Sequence, residues 1–299
     1  MTAQSVALSR IRTAVVDPAV RRHALSRLPL HLVVLAICAI WLVPTVSLIV
    51  TSVRPAALLL SSGWWHIFTH PGQFTTANYR HVLQGGQLGR SFVNSLVIVV
   101  PVTIGTVVAG AIAGYAFGWL PFRGERLLLI LIVALLGLPV QVTLVPVLQL
   151  FSSLHLAGKF AAAWIAYGGY MLPFATYLMR SFLKKIPRDL IEAAQVDGAT
   201  PATIFLRIAF PIAAPALASL ATLVFVWTWN DLLVSLVYLG SGPSVAPMPV
   251  TIANLVGSEG TGLELLAAGA VISLLLPVAV FFALQRYFVR GIVAGAIKG

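Results

Sequence analysis

Charge is the scarcest property of this 299-residue chain. Only 9% of its residues are Asp, Glu, Lys or Arg, against about 25% in an average soluble domain, while 59% are hydrophobic. Mean hydropathy is +0.97. This composition excludes an aqueous enzyme and a disordered chain. It also excludes a disulfide-stapled fold, because the single cysteine, Cys38, has no partner within the chain. Set among Ile37, Ala39 and Ile40, Cys38 reads as packing.

Reactive chemistry is missing as well. The six histidines are His23, His31, His66, His70, His81 and His155, and none lies in the middle of an apolar run. There is no H-E-x-x-H sequence and no Ser/His pairing inside such a run. The one Gly-Lys pair, Gly158-Lys159, is followed by Phe160 and has Ser153 where a P-loop needs its first glycine. No catalytic residue and no metal site is expected, and the chain does not hydrolyse ATP by itself.

What the chain has instead is length without charge. A helix needs about 20 apolar residues to cross the hydrocarbon core of a bilayer. Six stretches lack any Asp, Glu, Lys or Arg: Leu28–Val53, Ser91–Phe122, Leu127–Gly158, Phe160–Met179, Ile208–Asn230 and Leu265–Gln285. A seventh, Leu232–Ser258, is broken by Gly240-Ser241-Gly242-Pro243, Pro247 and Pro249, and reads as the end of the fifth helix followed by a loop. The runs are long and rich in Leu, Val and Ala, unlike the short alternating segments of a membrane barrel. The expectation is an all-α integral membrane protein with six transmembrane helices over residues 28–299, preceded by a basic segment at 1–27. That segment reads as the start of an uncleaved first helix, since the apolar run is about twice the usual signal-peptide core. In the second stretch, Gly110, Gly114 and Gly118 share one face, which either admits a close neighbour or reflects the frequency of glycine in membrane helices.

The net charge of +11 would suggest nucleic acid in a soluble protein. In a membrane protein the basic residues of loops retained in the cytoplasm account for it, and no nucleic acid is expected. With six spans, one side holds 15 Lys and Arg in the N-terminal, second, fourth and C-terminal connections, and the other side holds 4 (Arg54, Arg80, Arg90 and Lys159). Both termini are therefore expected in the cytoplasm.

One connection carries most of the information. Between the fourth and fifth stretches, Pro187 fits a first helical turn, with Asp189 and Glu192 near the positive end of the helix dipole. Gly198 supplies a stop, and Thr200-Pro201 a cap and first residue for a second helix running to about Ala209. Pro211 then leads into the fifth stretch. A helix–turn–helix of this kind, over about 181–210, is a docking element rather than a tether.

The loop reads Glu192-Ala193-Ala194-x-x-Asp197-Gly198, then nine residues, then Ile208-Ala209-Phe210-Pro211. It resembles the EAA motif of ABC importer permeases, with Phe210 where leucine is more usual. Asn78-Tyr79, Phe92-Val93-Asn94-Ser95, Leu172-Pro173-Phe174, Ile186-Pro187, Trp229-Asn230-Asp231 and the ending Gly291-x-x-x-Gly295-Ala296-x-Lys298-Gly299 extend the resemblance to carbohydrate importers of the maltose type. The resemblance implies the type I importer permease fold in the inner membrane of a prokaryote, and a complex with a second, different permease subunit, two ATPase subunits that bind ATP and magnesium, and an extracytoplasmic solute-binding protein. It implies that Glu192, Ala193, Ala194, Asp197, Gly198, Ile208 and Pro211 couple this chain to the ATPase. Small side chains at 193, 194, 198 and 199 suit a compact lever, and Glu192 and Asp197 offer anionic contacts.

Asp231 is the one acidic or basic residue in its half of the fifth stretch. A carboxylate at mid-bilayer costs about 2.5–3.5 kcal/mol on insertion scales, so it should face a polar cavity or a partner. Trp227, Asn230 and Asp231 stand at i, i+3 and i+4, a ring, an amide and a carboxylate on one helical face. Such a face suits a sugar path, but a site near the outer interface or against the partner permease fits Asp231 equally. For cargo, a di- or oligosaccharide competes with glycerol phosphate or a polyol. A proton- or sodium-driven transporter is the rival class, and a single intramembrane carboxylate with no visible repeat argues against it.

Overall fold

The computed structural model describes residues 18–59, 61–70, 72–84, 86–256 and 261–296, with side chains described between 29 and 285. Among the described residues all regular structure is helical. Most of the basic N-terminal segment, and Lys298-Gly299 of the ending, lie outside the described residues. Two compact units are formed, by residues 1–50 and 51–299.

The first unit is dominated by helix α1, Pro18–Ser52. From Pro29 to Val46 its side chains are exposed, apolar on every face. A helix apolar all round belongs in lipid or in a core, because water would leave that surface unpaid for by burial.

The second unit begins with a short helix α2, Ala56–Leu59, a 3-10 turn, Trp64–Phe68, and helix α3, Ala77–Gln84. Then come α4 (Gln87–Trp119), α5 (Glu125–Leu136), α6 (Val140–Ser153) and α7 (Phe160–Leu183). After α7 follow α8 (Arg188–Val196), α9 (Pro201–Ile204), a π-helical turn (Phe205–Ala209), α10 (Phe210–Ile212) and α11 (Ala214–Asn230). The unit closes with α12 (Leu233–Leu239), α13 (Met248–Ala253) and α14 (Leu263–Ala296).

The most extensive helix pair is α4 with α7. Glycine makes it possible. A Cβ on Gly110 would stand 2.6 Å from the Cβ of Ala175, and one on Gly114 would stand 2.6 Å from the Cβ of Met179 and 2.7 Å from the Arg180 nitrogen. Small residues let two membrane helices approach to backbone contact, where dispersion replaces the hydrophobic drive that lipid removes. Gly118 has nothing within 4 Å of its would-be Cβ, so two of the three glycines serve the close approach.

The six expected spans do not all form as single straight helices. Among the described residues three helices qualify by length and apolarity, Pro29–Ser52, Gln87–Trp119 and Leu263–Gln285, or five if two bent pairs each count as one span. The third expected stretch is not one helix: α5 and α6 meet at 103°, where Gly137-Leu138-Pro139 interrupts the hydrogen-bond ladder. The fifth bends by 75° at Ala213, so its straight part is α11 rather than Ile208–Asn230. Helix α7 has the length, 24 residues, but Tyr167, Gly168, Gly169, Tyr170 and Tyr177 dilute its hydropathy. The segment after Asn230 is also not a plain loop, because α12 and α13 form within it. Helix α13 is fastened to α4 by buried bonds: Ser91 Oγ to Thr251 Oγ1 (2.6 Å), Asn94 Nδ2 to the Ala246 carbonyl (3.1 Å), and Met248 N–H to Ser95 Oγ (2.8 Å).

Candidate functional site: a docked helical lever and a cavity at a helix break

The lever is built from the end of α7. Trp119 Nε1 donates to the Leu183 carbonyl (2.9 Å) and Arg180 Nε to the Phe117 carbonyl (3.0 Å), which ties the end of α7 to the end of α4. Pro187, in extended backbone, caps α8, and Asp189 lies in its first turn. Ile186, Ile191, Ile204 and Ala209 are all buried and belong to the same core as α4 and α7. The helix pair is therefore seated on the bundle by its apolar side. Gly198 has φ +80, the left-handed backbone that stops α8, and Ala199 N–H closes the turn on the Ala194 carbonyl at 2.9 Å. Thr200 Oγ1 accepts from the Thr203 N–H at 3.3 Å and Pro201 starts α9.

The second helix of the lever runs on from Pro201 to Ile212, past the expected end near Ala209. After Ile204 it widens into the π turn, where the Phe210 N–H reaches back to the Phe205 carbonyl; Pro211, lacking an N–H, stands next to it. Glu192, Ala193, Asp197, Gly198 and Pro211 are exposed, and Ala194 and Ile208 are half-buried. Val196, on the same outward side, is 87% exposed. The expected coupling residues are thus spread over α8 and its turn, the π turn and α10, and do not share one pocket. Glu192 alone of them borders a cavity of about 500 Å³ with Gly118, Trp119, Lys184, Arg188 and Gln195.

The second place is the end of α11. A cavity of about 400 Å³ is lined by Val140 and Gln141 of α6, Tyr167, Tyr170 and Met171 of α7, Val226, Trp227 and Asn230 of α11, Asp231, and the start of α12. The structure brings Trp227, Asn230 and Asp231 together there, but not on one helical face. Helix α11 ends at Asn230, and Asp231 has extended backbone (φ −75, ψ 121). One carboxylate oxygen makes both bonds: Oδ1 accepts from the Tyr167 hydroxyl at 2.9 Å and from the Val234 N–H at 2.8 Å, so it caps α12 while holding α7. No ion pair to Asp231 is present among the described residues; the one described pair is Arg180 with Glu125, at 3.9 Å. Hydrogen bonds to an N–H and an O–H stabilise a carboxylate that has no cation beside it.

A hydroxyl chain runs beside it. Tyr167 also pairs with Ser235 Oγ (2.8 Å), and the Tyr170 hydroxyl pairs with those of Thr143 (2.9 Å) and Tyr238 (2.6 Å). These contacts link α6, α7 and α12. Trp227 is 46% exposed and packs against Phe174, ring centroids 5.4 Å apart. Trp229 turns away: it is buried, stacks on Phe225 and donates to the Ser273 carbonyl of α14 at 3.1 Å. The sequence reading missed Gln141, Tyr167 and Tyr170. Tyr167 and Tyr170, three residues apart within an otherwise apolar run, were the available signal.

Comparison with known proteins agrees with this architecture. The chain is 48% identical over 276 residues to the osmoprotective compounds uptake permease protein of Synechocystis sp., covering 91% of this chain and 93% of that one. It is 44% identical to the alpha-glucoside transport system permease protein of Rhizobium meliloti over 77% of this chain and 62% of that relative. A chain from the crystal structure of a bacterial ABC transporter involved in the import of the acidic polysaccharide alginate superposes with a TM-score of 0.70 at 22% identity, covering 92% of this chain and all of that one. Residues 91–294 match the family described as the inner membrane component of binding-protein-dependent transport systems, and the chain belongs to that family.

Proposed function

We propose that this chain is a permease subunit of an ATP-driven importer in a prokaryotic inner membrane, and that it passes a sugar, a di- or oligosaccharide, into the cytoplasm. The observation that carries the cargo class is the 400 Å³ cavity, whose lining combines Trp227 with the polar residues Gln141, Asn230 and Tyr170. Its size falls in the range of about 300–1,000 Å³ typical of small-molecule sites. An aromatic face with planar amides and hydroxyls complements the C–H and O–H faces of a sugar ring. The alpha-glucoside relative supports that reading.

In this reading Glu192, Ala193, Ala194, Asp197, Gly198, Ile208 and Pro211 form the surface seated on an ATPase subunit. ATP and magnesium belong to that subunit. A second permease, a second ATPase subunit and an extracytoplasmic solute-binding protein complete the assembly, and both termini lie in the cytoplasm. Asp231 acts as a hydrogen-bond acceptor that shapes the path, not as a proton carrier. A second reading of the cargo, an osmoprotective compound, is favoured by the Synechocystis relative.

The test is reconstitution of the purified complex in proteoliposomes, with solute uptake and ATP hydrolysis measured for a panel of disaccharides, oligosaccharides and polyols. A solute that stimulates both identifies the cargo. Uptake that follows a proton or sodium gradient with ATP held constant sinks the ATP-driven reading. Labelling of Gln195→Cys in intact cells by a membrane-impermeant thiol reagent sinks the topology.

A further inference from the structure

The segment between Ser52 and Gln87 is not used by either site, yet several side-chain hydrogen bonds brace it. Its centre is a buried arginine. Arg54 is completely buried, and among the described residues no carboxylate pairs with it. Its guanidinium instead holds backbone: Nη1 donates to the carbonyls of Gly63 (2.8 Å) and Ser62 (3.1 Å), and Nη2 donates to Ser62 Oγ (2.6 Å) and the Leu58 carbonyl (3.4 Å). From below, Asn78 Nδ2 donates to the Ser52 and Arg54 carbonyls, both at 2.9 Å.

What this bracing presents is aromatic. Gly63 leads into the 3-10 turn, and the Trp65 indole folds over it so closely that a Cβ on Gly63 would collide with the ring. Ile67 points inward and is buried, while Trp65, Phe68 and Phe74 are 59%, 71% and 60% exposed. Rigid scaffolding beneath exposed aromatics indicates a surface that is built to be covered.

The surroundings point to lipid. Helices α2 and α3 pack against α14, and Ala56, Ala57 and Leu59 of α2 line one cavity with Thr261–Glu264, where α14 begins. Tyr79 and Val82 of α3 join Leu265, Leu266 and Leu88 in one cluster, so the turn stands at the end from which α4 and α14 enter the membrane. Continuing down α4, Val93, Val100 and Ile104 are exposed apolar residues below the same end. No Asp or Glu occurs between Asp17 and Glu125, and Arg80 of α3 is exposed; the one described carboxylate against this segment is Glu264, at the start of α14. Tryptophan and other amphipathic rings concentrate where headgroups meet acyl chains.

We propose that the Trp64–Phe68 turn, clamped by Arg54, is a membrane-interface anchor whose Trp65 and Phe68 rings insert among the lipid headgroups at the end where α4 and α14 begin. It fixes the depth of that end in the bilayer.

The test is nitroxide labelling of the full-length chain in nanodiscs of phosphatidylcholine and phosphatidylglycerol, on a Cys38→Ser background. Labels on Trp65→Cys and Phe68→Cys should collide with oxygen readily, and with a water-soluble nickel chelate severalfold less than a label on Gln195→Cys. Nickel access equal to that at position 195 overturns the proposal. So does immobilisation of those labels only when an extracytoplasmic solute-binding protein is added, since that assigns the surface to protein docking. A second arm leaves the aromatics out of the probe. A label on Ser61→Cys, itself exposed, should gain nickel access when Trp65→Ser and Phe68→Ser are introduced together, and an unchanged signal overturns the anchoring role. Both aromatics are exposed, so their loss leaves the core intact.

Discussion

The lever at 188–212 and the cavity at the end of α11 are built by opposite means. The lever is local: its stop is one glycine at φ +80, its second start one threonine cap, and its seat two isoleucines, Ile191 and Ile204, within one short stretch of chain. The cavity is assembled from α6, α7, α11 and α12, and its central bond joins Tyr167 to Asp231, 64 residues apart. A locally encoded element tolerates changes elsewhere in the bundle and fails abruptly when its turn fails. A long-range site should degrade in steps, because several helices share its contacts.

The largest effect is predicted at Asp231. Asp231→Leu leaves the Tyr167 hydroxyl and the Val234 N–H without their acceptor, and each hydrogen bond to a charged group contributes about 1.5–3 kcal/mol. Uptake in proteoliposomes should fall on the order of 100-fold, the equivalent of about 2.7 kcal/mol. Asp231→Asn keeps an acceptor and should retain partial uptake. If Asp231→Leu transports normally, the residue lies outside the path and the comparison loses its second half.

Gly198→Val comes next. A β-branched residue resists φ +80, and a left-handed backbone costs an ordinary residue roughly 1–2 kcal/mol, more for a branched one. The predicted result is an inserted permease that loses about tenfold or more of its ATPase retention on copurification. Glu192→Lys should weaken retention through charge alone and leave the fold unchanged. Wild-type retention by both variants removes the lever assignment.

A third prediction separates two glycines of one motif. Gly114→Leu forces α4 away from Met179 and Arg180, and overpacking typically costs about 1–3 kcal/mol, whereas Gly118→Leu meets open space. Thermal unfolding in detergent micelles should drop clearly for the first and stay near wild type for the second. Equal melting temperatures contradict the close approach of α4 and α7.

The smallest effect is expected at Tyr170. Tyr170→Phe removes one hydroxyl that bonds Thr143 and Tyr238 but keeps the ring, so uptake should change a few-fold, in line with about 0.5–1.5 kcal/mol for a net hydrogen bond. Tyr167→Phe should cost more, because it unties the Asp231 carboxylate. The order of the two, read from uptake rates at fixed solute, sharpens which hydroxyl carries the site.

Some of this was legible before any coordinates. Membrane embedding follows from composition, because a chain with 9% charge has no way to solvate its surface. The lever follows from turn chemistry, since proline at a helix start, glycine at a helix stop and a threonine cap act within a few residues of one another. The glycine stripe on α4 was visible, but its partner was not. Which of its glycines meet a neighbour depends on where α7 crosses, and α7 crosses at Gly110 and Gly114.

The tertiary structure decided the rest. Apolar runs say that a segment avoids water; they do not say whether it is straight, and so the stretches around Gly137-Leu138-Pro139 and Ala213 became bent pairs. Helical periodicity put Asp231 on the face of Trp227, but the chain leaves the helix at Asn230 because the Asp231 carboxylate is pulled into Tyr167 and the start of α12. Arg54 counted as one more loop cation in the sequence, whereas the fold buries it against carbonyl oxygens. Sequence determines which groups cannot face lipid alone. Only the packed structure supplies the particular partners, distant in the chain, that satisfy them.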